Sequence, residues 1–255
     1  MESDFKNLLW AMKIGAFINI YLIIHLLTLP TPDLHVVIPA LILLSVSAFR
    51  CLFPNRYLKN IVFHDHPLSS IFLTRLLATF SEVAYIYQFS YVIRIFNTDQ
   101  IVWIDFLSWI MVVQVSVSQA FVWSAILTKN LRLYFYEEIG WFIIFLANTG
   151  ASLFLYLRTE TSEAATILLL LNLLFGVGYL PWQILHLRSL RTESREGTPD
   201  TTHWKTGLTN AIRQRTQSTQ SSDWGGTIGL TWMVAYWVTL IPIWVQQVAI
   251  IVSSR

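Results

Sequence analysis

The sequence is poor in cysteine and in charge. It holds one cysteine, Cys51, so no internal disulfide can form and no cysteine-based zinc site can be assembled. Charged residues fill 13% of the 255 positions, about half the roughly 25% of an ordinary soluble domain. With 55% hydrophobic residues, that scarcity excludes intrinsic disorder, which needs the opposite balance. It also argues against a soluble globular fold. The net charge is only +2 and the basic residues are scattered, which excludes a nucleic-acid partner.

What the chain has instead is apolar length. A helix needs about 20 mostly apolar residues to cross a hydrocarbon core of ~30 Å. Seven such segments are predicted, near 8–30, 34–53, 71–93, 101–127, 138–157, 164–187 and 226–252. The expected fold is therefore all-α: residues 1–255 as a single polytopic membrane domain, a bundle of seven transmembrane helices. The first segment does not read as a cleaved signal. Its leading residues carry no positive excess, Lys13 and Asn19 interrupt the apolar run, and no small-residue cleavage site follows. Thirteen Lys and Arg fall at the N-terminus and in the second, fourth and sixth loops, three fall on the other side, and Arg75 lies inside the third segment. This asymmetry places the N-terminus in the cytoplasm and the C-terminus on the opposite side.

The only long connection, 188–225, is a basic cytoplasmic loop rich in Thr, Ser, Gln and Arg, expected to be solvated and partly flexible. Within it Trp204, Leu208 and Ile212 recur at helical spacing, flanked by Lys205, Arg213 and Arg215. That pattern suits a short amphipathic helix on the inner leaflet.

Seven spans suggest familiar chemistries that the residues do not carry. A retinal Schiff base needs a lysine in the last helix, and Gly226–Val252 has none. Neither Asp-Arg-Tyr nor Asn-Pro-x-x-Tyr occurs, and the last helix has no histidine for an adiponectin-receptor-like zinc site. Haem is excluded as well, because His25 and His186 fall near opposite faces. The run Glu137-Glu138-Ile139-Gly140-Trp141-Phe142 resembles the Pro-x-Glu-Glu and aromatic stretch of membrane-embedded lycopene cyclases, with Phe135 where that motif has its proline. The likeness is confined to these residues and assigns no family.

Polar groups inside a bilayer are costly, and ionisable ones point to function. Each segment has one near its middle: Asn19, Ser45, Glu82, Gln114, Asn148, Asn172 and Thr239. Helical spacing extends this layer into stripes. Arg75, Thr79 and Glu82 share a face of the third helix; Glu138, Trp141, Phe145, Asn148 and Ser152 share one of the fifth. Asn172, Gly176, Tyr179, Gln183 and His186 do so in the sixth, and Trp232, Tyr236, Thr239 and Gln246 in the seventh. The stripes are expected to converge on one polar and aromatic pocket open to the inner face. In it Glu82, Arg75, Glu138 and His186 are the candidate catalytic groups. Asn148, Asn172, Tyr179, Gln183, Gln114 and Tyr236 are the candidate substrate contacts. Glu82 is readable either as a protonated acid raised by burial or as the partner of Arg75.

His64, Asp65 and His66 precede the third helix, and His64 and His66 point the same way in an extended chain. This offers imidazole and carboxylate ligands to a divalent metal. Pro181 and Pro242 are expected to kink the last two helices. The leading functional expectation is an enzyme acting on a lipophilic substrate, lipid or isoprenoid, by acid–base chemistry within the bilayer. The alternatives are a non-catalytic subunit among partner membrane subunits, or a transporter or channel for a small solute or ion.

Overall fold

The computed structural model describes residues 3–57, 60–158, 162–196 and 202–254. Lys59, residues 197–201 of the long loop and Arg255 lie outside the described residues, as does the side chain of Arg195. Of the described residues 83% are helical. The helices are α1 (Ser3–Leu27), α2 (Leu34–Leu52), α3 (Ile71–Phe96), α4 (Val102–Thr128), α5 (Leu131–Arg158), α6 (Glu163–Glu196), α7 (Trp204–Arg213), α8 (Gly226–Trp237) and α9 (Leu240–Ser253). Among the described residues six stretches are long and apolar enough to cross a membrane: α1, α2, α4, α5, most of α6, and Gly229–Ser253 across α8 and α9. Large apolar side chains such as Phe17, Val102, Phe106, Val113 and Val177 stand exposed on these helices, as lipid-facing surfaces require. α3 is long enough but carries Arg75, Glu82, Gln88 and Arg94, which dilute its apolarity.

The chain divides into two compact units, one made of residues 1–84 and 208–254, the other of 85–207. In the first, α1, α2, α8 and α9 pack on one another. Phe5, Leu8, Met12, Val46, Trp224, Met233 and Trp237 belong to its core. Gly15 sits where a Cβ would press on Val238. The expected seventh helix is broken rather than kinked. Pro242 has no N–H for the Val238 carbonyl, and the helix opens one turn earlier, at Val238 and Thr239. The Trp237 carbonyl, freed by that break, accepts the amide of buried Asn19 at 2.8 Å and the thiol of Cys51 at 3.5 Å. The stripe expected along this helix is lost with its continuity: Thr239 turns outward while Gln246 is buried and meets His25 at 2.9 Å. Ser45 is exposed too.

A three-stranded patch that the sequence does not announce joins the loops of this unit. β1 (Asn55–Arg56) pairs antiparallel with β2 (Ile61–Val62), which pairs parallel with β3 (Thr216–Gln217). Gly225, at φ 90°, turns the chain from a short 3-10 helix at Ser221–Trp224 into α8, a conformation that costs glycine little.

The second unit holds the rest of α3 with α4, α5 and α6, and α5 packs against both α4 and α6. Glycines set the close approaches. A Cβ on Gly140 would strike Ser118 and Gln114 of α4, and one on Gly176 would strike Thr149 of α5. α6 runs unbroken through Pro181 and on to Glu196, so the first residues of the expected flexible loop are helical. At 1.5 Å per residue its 34 residues reach about 50 Å, longer than the apolar layer. α5 starts seven residues before its expected beginning, which puts Glu137 and Glu138 in its second turn rather than at its N-terminus.

Candidate functional site

The expected catalytic quartet falls into two pairs. Arg75 and Glu82 form one in the first unit, two turns apart on α3. The guanidinium Nη1 and Nη2 donate to Oε1 at 3.1 Å and Oε2 at 2.7 Å, and both side chains are buried. The sequence left Glu82 readable as a protonated acid or as the partner of Arg75, and the geometry is that of the pair.

Arg75 belongs to a larger knot. Its guanidinium lies 5.7 Å from the centre of the Tyr57 ring, and that of Arg50 lies 5.4 Å from the same ring and 4.8 Å from Trp237. Arg50 donates to Asn55 Oδ1 at 3.0 Å and to the Tyr57 hydroxyl at 3.3 Å. Asn55 in turn donates to Ser69 O at 2.9 Å and Thr74 Oγ1 at 2.6 Å. Sequence reasoning missed Arg50, Asn55 and Tyr57. No periodicity links a helix end to the loop after it. Tyr236, one of the expected substrate contacts, packs edge-on against Trp237 at 4.3 Å in this unit.

Glu138 and His186 form the other pair, in the second unit, and here the stripes of α5 and α6 meet along their length. Gln183 Nε2 donates to Glu138 Oε2 at 2.7 Å and to the Glu138 carbonyl at 2.9 Å. The other carboxylate oxygen, Oε1, lies 3.7 Å from His186 Nε2. The Glu138 and His186 side chains are 23% and 34% exposed, so the pair is reachable, unlike Arg75 and Glu82.

An aromatic column continues from the imidazole into the unit. Trp182 stacks on His186 at 5.1 Å, Tyr179 lies 5.7 Å from Trp182, and Phe145 lies 4.5 Å from Tyr179 and 4.9 Å from Phe175. Beyond it Asn172 Nδ2 donates to Ser152 Oγ at 3.0 Å and Asn148 Oδ1 at 3.4 Å. Asn148 Nδ2 and Asn172 Oδ1 are buried with no hydrogen-bond partner among the described residues. Asn148, Asn172, Tyr179, Gln183, Glu138 and His186 are thus brought together as successive steps of one α5–α6 seam. Gln114 is separate from them, half-buried on α4 beside Gly140.

His64 and His66, the candidate metal ligands, precede α3 and are exposed. The His66 ring accepts from Leu68 N at 3.2 Å and stacks on Phe53, while His64 meets Phe63 edge-on at 4.4 Å. Burial, Lys13 and His66 hold the His64 pKa below its usual value. Among the described residues no three His, Cys, Asp or Glu side chains gather as a metal site would require.

Comparison of the chain with protein-family models, curated proteins and solved structures finds no match.

Proposed function

We propose that the protein is a seven-span membrane enzyme that acts on a lipophilic, isoprenoid-like substrate at Glu138 and His186. In this reading α3 is the third span and α8 with α9 the seventh, and the N-terminus is cytoplasmic by its share of Lys and Arg. The observation that carries the proposal is the Glu138–Gln183–His186 group: a carboxylate and an imidazole, both reachable, at the end of an aromatic column.

Each part has a chemical task. His186 gives or takes the proton, the usual role of an imidazole near neutral pH. Glu138 balances the positive charge that His186 gains, and Gln183 holds Glu138 from the oxygen that His186 does not face. Trp182 and Tyr179, both half-buried, offer ring faces to an unsaturated chain, and such faces stabilise positive charge that develops on it. Arg75 and Glu82 stay outside the proton path because each oxygen of Glu82 is held by the guanidinium. The transporter alternative would draw on broken helices. At the break at Val238 and Thr239 the Trp237 carbonyl is already held by Asn19 and Cys51, which favours the enzyme.

The test is lipid mass spectrometry of membranes from cells lacking the protein and supplied with wild type, E138Q or H186Q. An isoprenoid or lipid species that changes with wild type, and that neither variant restores although both reach the membrane, supports the reading. Restoration by both variants overturns it.

A further inference from the structure

We infer that α7 is an interfacial helix whose Trp204–Ile212 flank docks on an anionic lipid surface. The first observation is its place. Thr202 N donates to Thr128 O at 2.9 Å, and a Cβ at Gly207 would collide with the backbone carbonyl of Leu127. Leu127 and Thr128 end α4, one of the helices apolar enough to span a membrane. The start of α7 is therefore fixed where that helix leaves the apolar layer.

The second observation is what α7 turns inward and outward. Its buried positions are the small Gly207 and Ala211. The large apolar residues stay on the outer flank: Trp204 is 51% exposed, Ile212 is 43% exposed, and Leu208 between them is only half-buried. Gly207 lets α7 approach the end of α4 closely, and the larger apolar flank is left outside that contact. At 100° per residue, Lys205 borders the apolar flank and Arg213 lies further round, both exposed. The Lys205 ammonium sits 5.6 Å from the Trp204 ring.

Apolar flank and cations together match a headgroup region that carries negative charge. The loop that bears α7 lies on the side with most Lys and Arg, the side that faces such lipids. Arg215 contributes less, since it is paired with Asp65 at 2.7 Å.

The test uses the full chain in lipid nanodiscs. Cys51 is the single cysteine and is buried, so a C51S background carries one spin label at I212C or, on the opposite exposed face, at T206C. Collision with oxygen and with a water-soluble nickel chelate reports depth. At I212C the label favours oxygen and at T206C it favours nickel, and adding phosphatidylserine to phosphatidylcholine deepens the I212C label. Removing Lys205, the cation that borders the flank, by K205Q lowers the docked fraction relative to the undocked by about fivefold. Equal access for nickel at both positions in both lipids overturns the docking. A deep I212C label that ignores phosphatidylserine overturns the anionic selectivity. Spin–spin broadening that grows with protein copies per disc would mean that a second copy covers the flank, and overturns the lipid assignment.

Discussion

Glu82 faces a guanidinium that holds both of its oxygens, whereas Glu138 divides its oxygens between an amide and an imidazole. Both are carboxylates on long helices, and both stand out in the sequence for the same reason, a costly group in an apolar run. Their surroundings separate them. An arginine pair is a fixed point: neither member changes state without leaving a buried charge behind. An imidazole partner can take up a proton and return it, and exposure lets a substrate reach it. Intramembrane charge marks a position as important; the partner decides whether the importance is architectural or chemical.

The comparison breaks most visibly in stability. R75L takes the guanidinium from both oxygens of buried Glu82 and costs about 3–5 kcal/mol, while the double variant R75L/E82L recovers most of that loss. Thermal unfolding in detergent checks both. If R75L melts like wild type, the pair is not architectural. E138Q should do the reverse. Its melting stays close to wild type, and on the function proposed above the formation of lipid product falls by about 10²–10⁴-fold. A strong loss of stability in E138Q would make Glu138 a second structural carboxylate.

Amides extend the same contrast. N19L leaves the Trp237 carbonyl short of its main donor, at about 1–3 kcal/mol. N172L removes cross-helix bonds worth about 0.6 kcal/mol each, so it should melt above N19L. Equal melting temperatures would mean that the helix break does not depend on Asn19.

The smallest effect concerns His64. Its pKa is lowered in the fold by burial, Lys13 and His66, so the unfolded chain binds the proton more readily. Stability is then full above the ordinary histidine value of 6.5 and declines as pH falls through it. H64Q should flatten the slope of melting temperature against pH in that range. A steeper slope in H64Q would reverse the sign.

Legibility followed helical continuity. The stripes on α5 and α6 could be read from spacing because both helices run unbroken, and Glu138 with Gln183, Phe145 with Tyr179, and Asn148 with Asn172 meet as spacing implies. The same reasoning failed on the last helix, since Pro242 breaks it and a break resets the phase of every residue beyond. Arg75 and Glu82 were legible as neighbours on one face but not as a bidentate pair, because a side-chain rotamer carries no sequence signal. The Arg50–Asn55–Tyr57 knot and the two-residue strands were invisible. They arise where loops distant in sequence meet, and strands this short show no alternation.

Asn19 and the carbonyl it occupies are separated by 218 residues. One Nδ2 hydrogen of Asn19 meets the Gly15 carbonyl within α1 at 2.7 Å, but during synthesis the other enters the bilayer long before the Trp237 carbonyl exists, and hydrocarbon offers no water to stand in. Until α8 and α9 arrive, α1 must keep that group near a headgroup, a chaperone or another helix. Any truncation ahead of Trp237 would leave that second N–H without its acceptor, and a cell's membrane quality control would meet the defect in a helix that the truncation never touched.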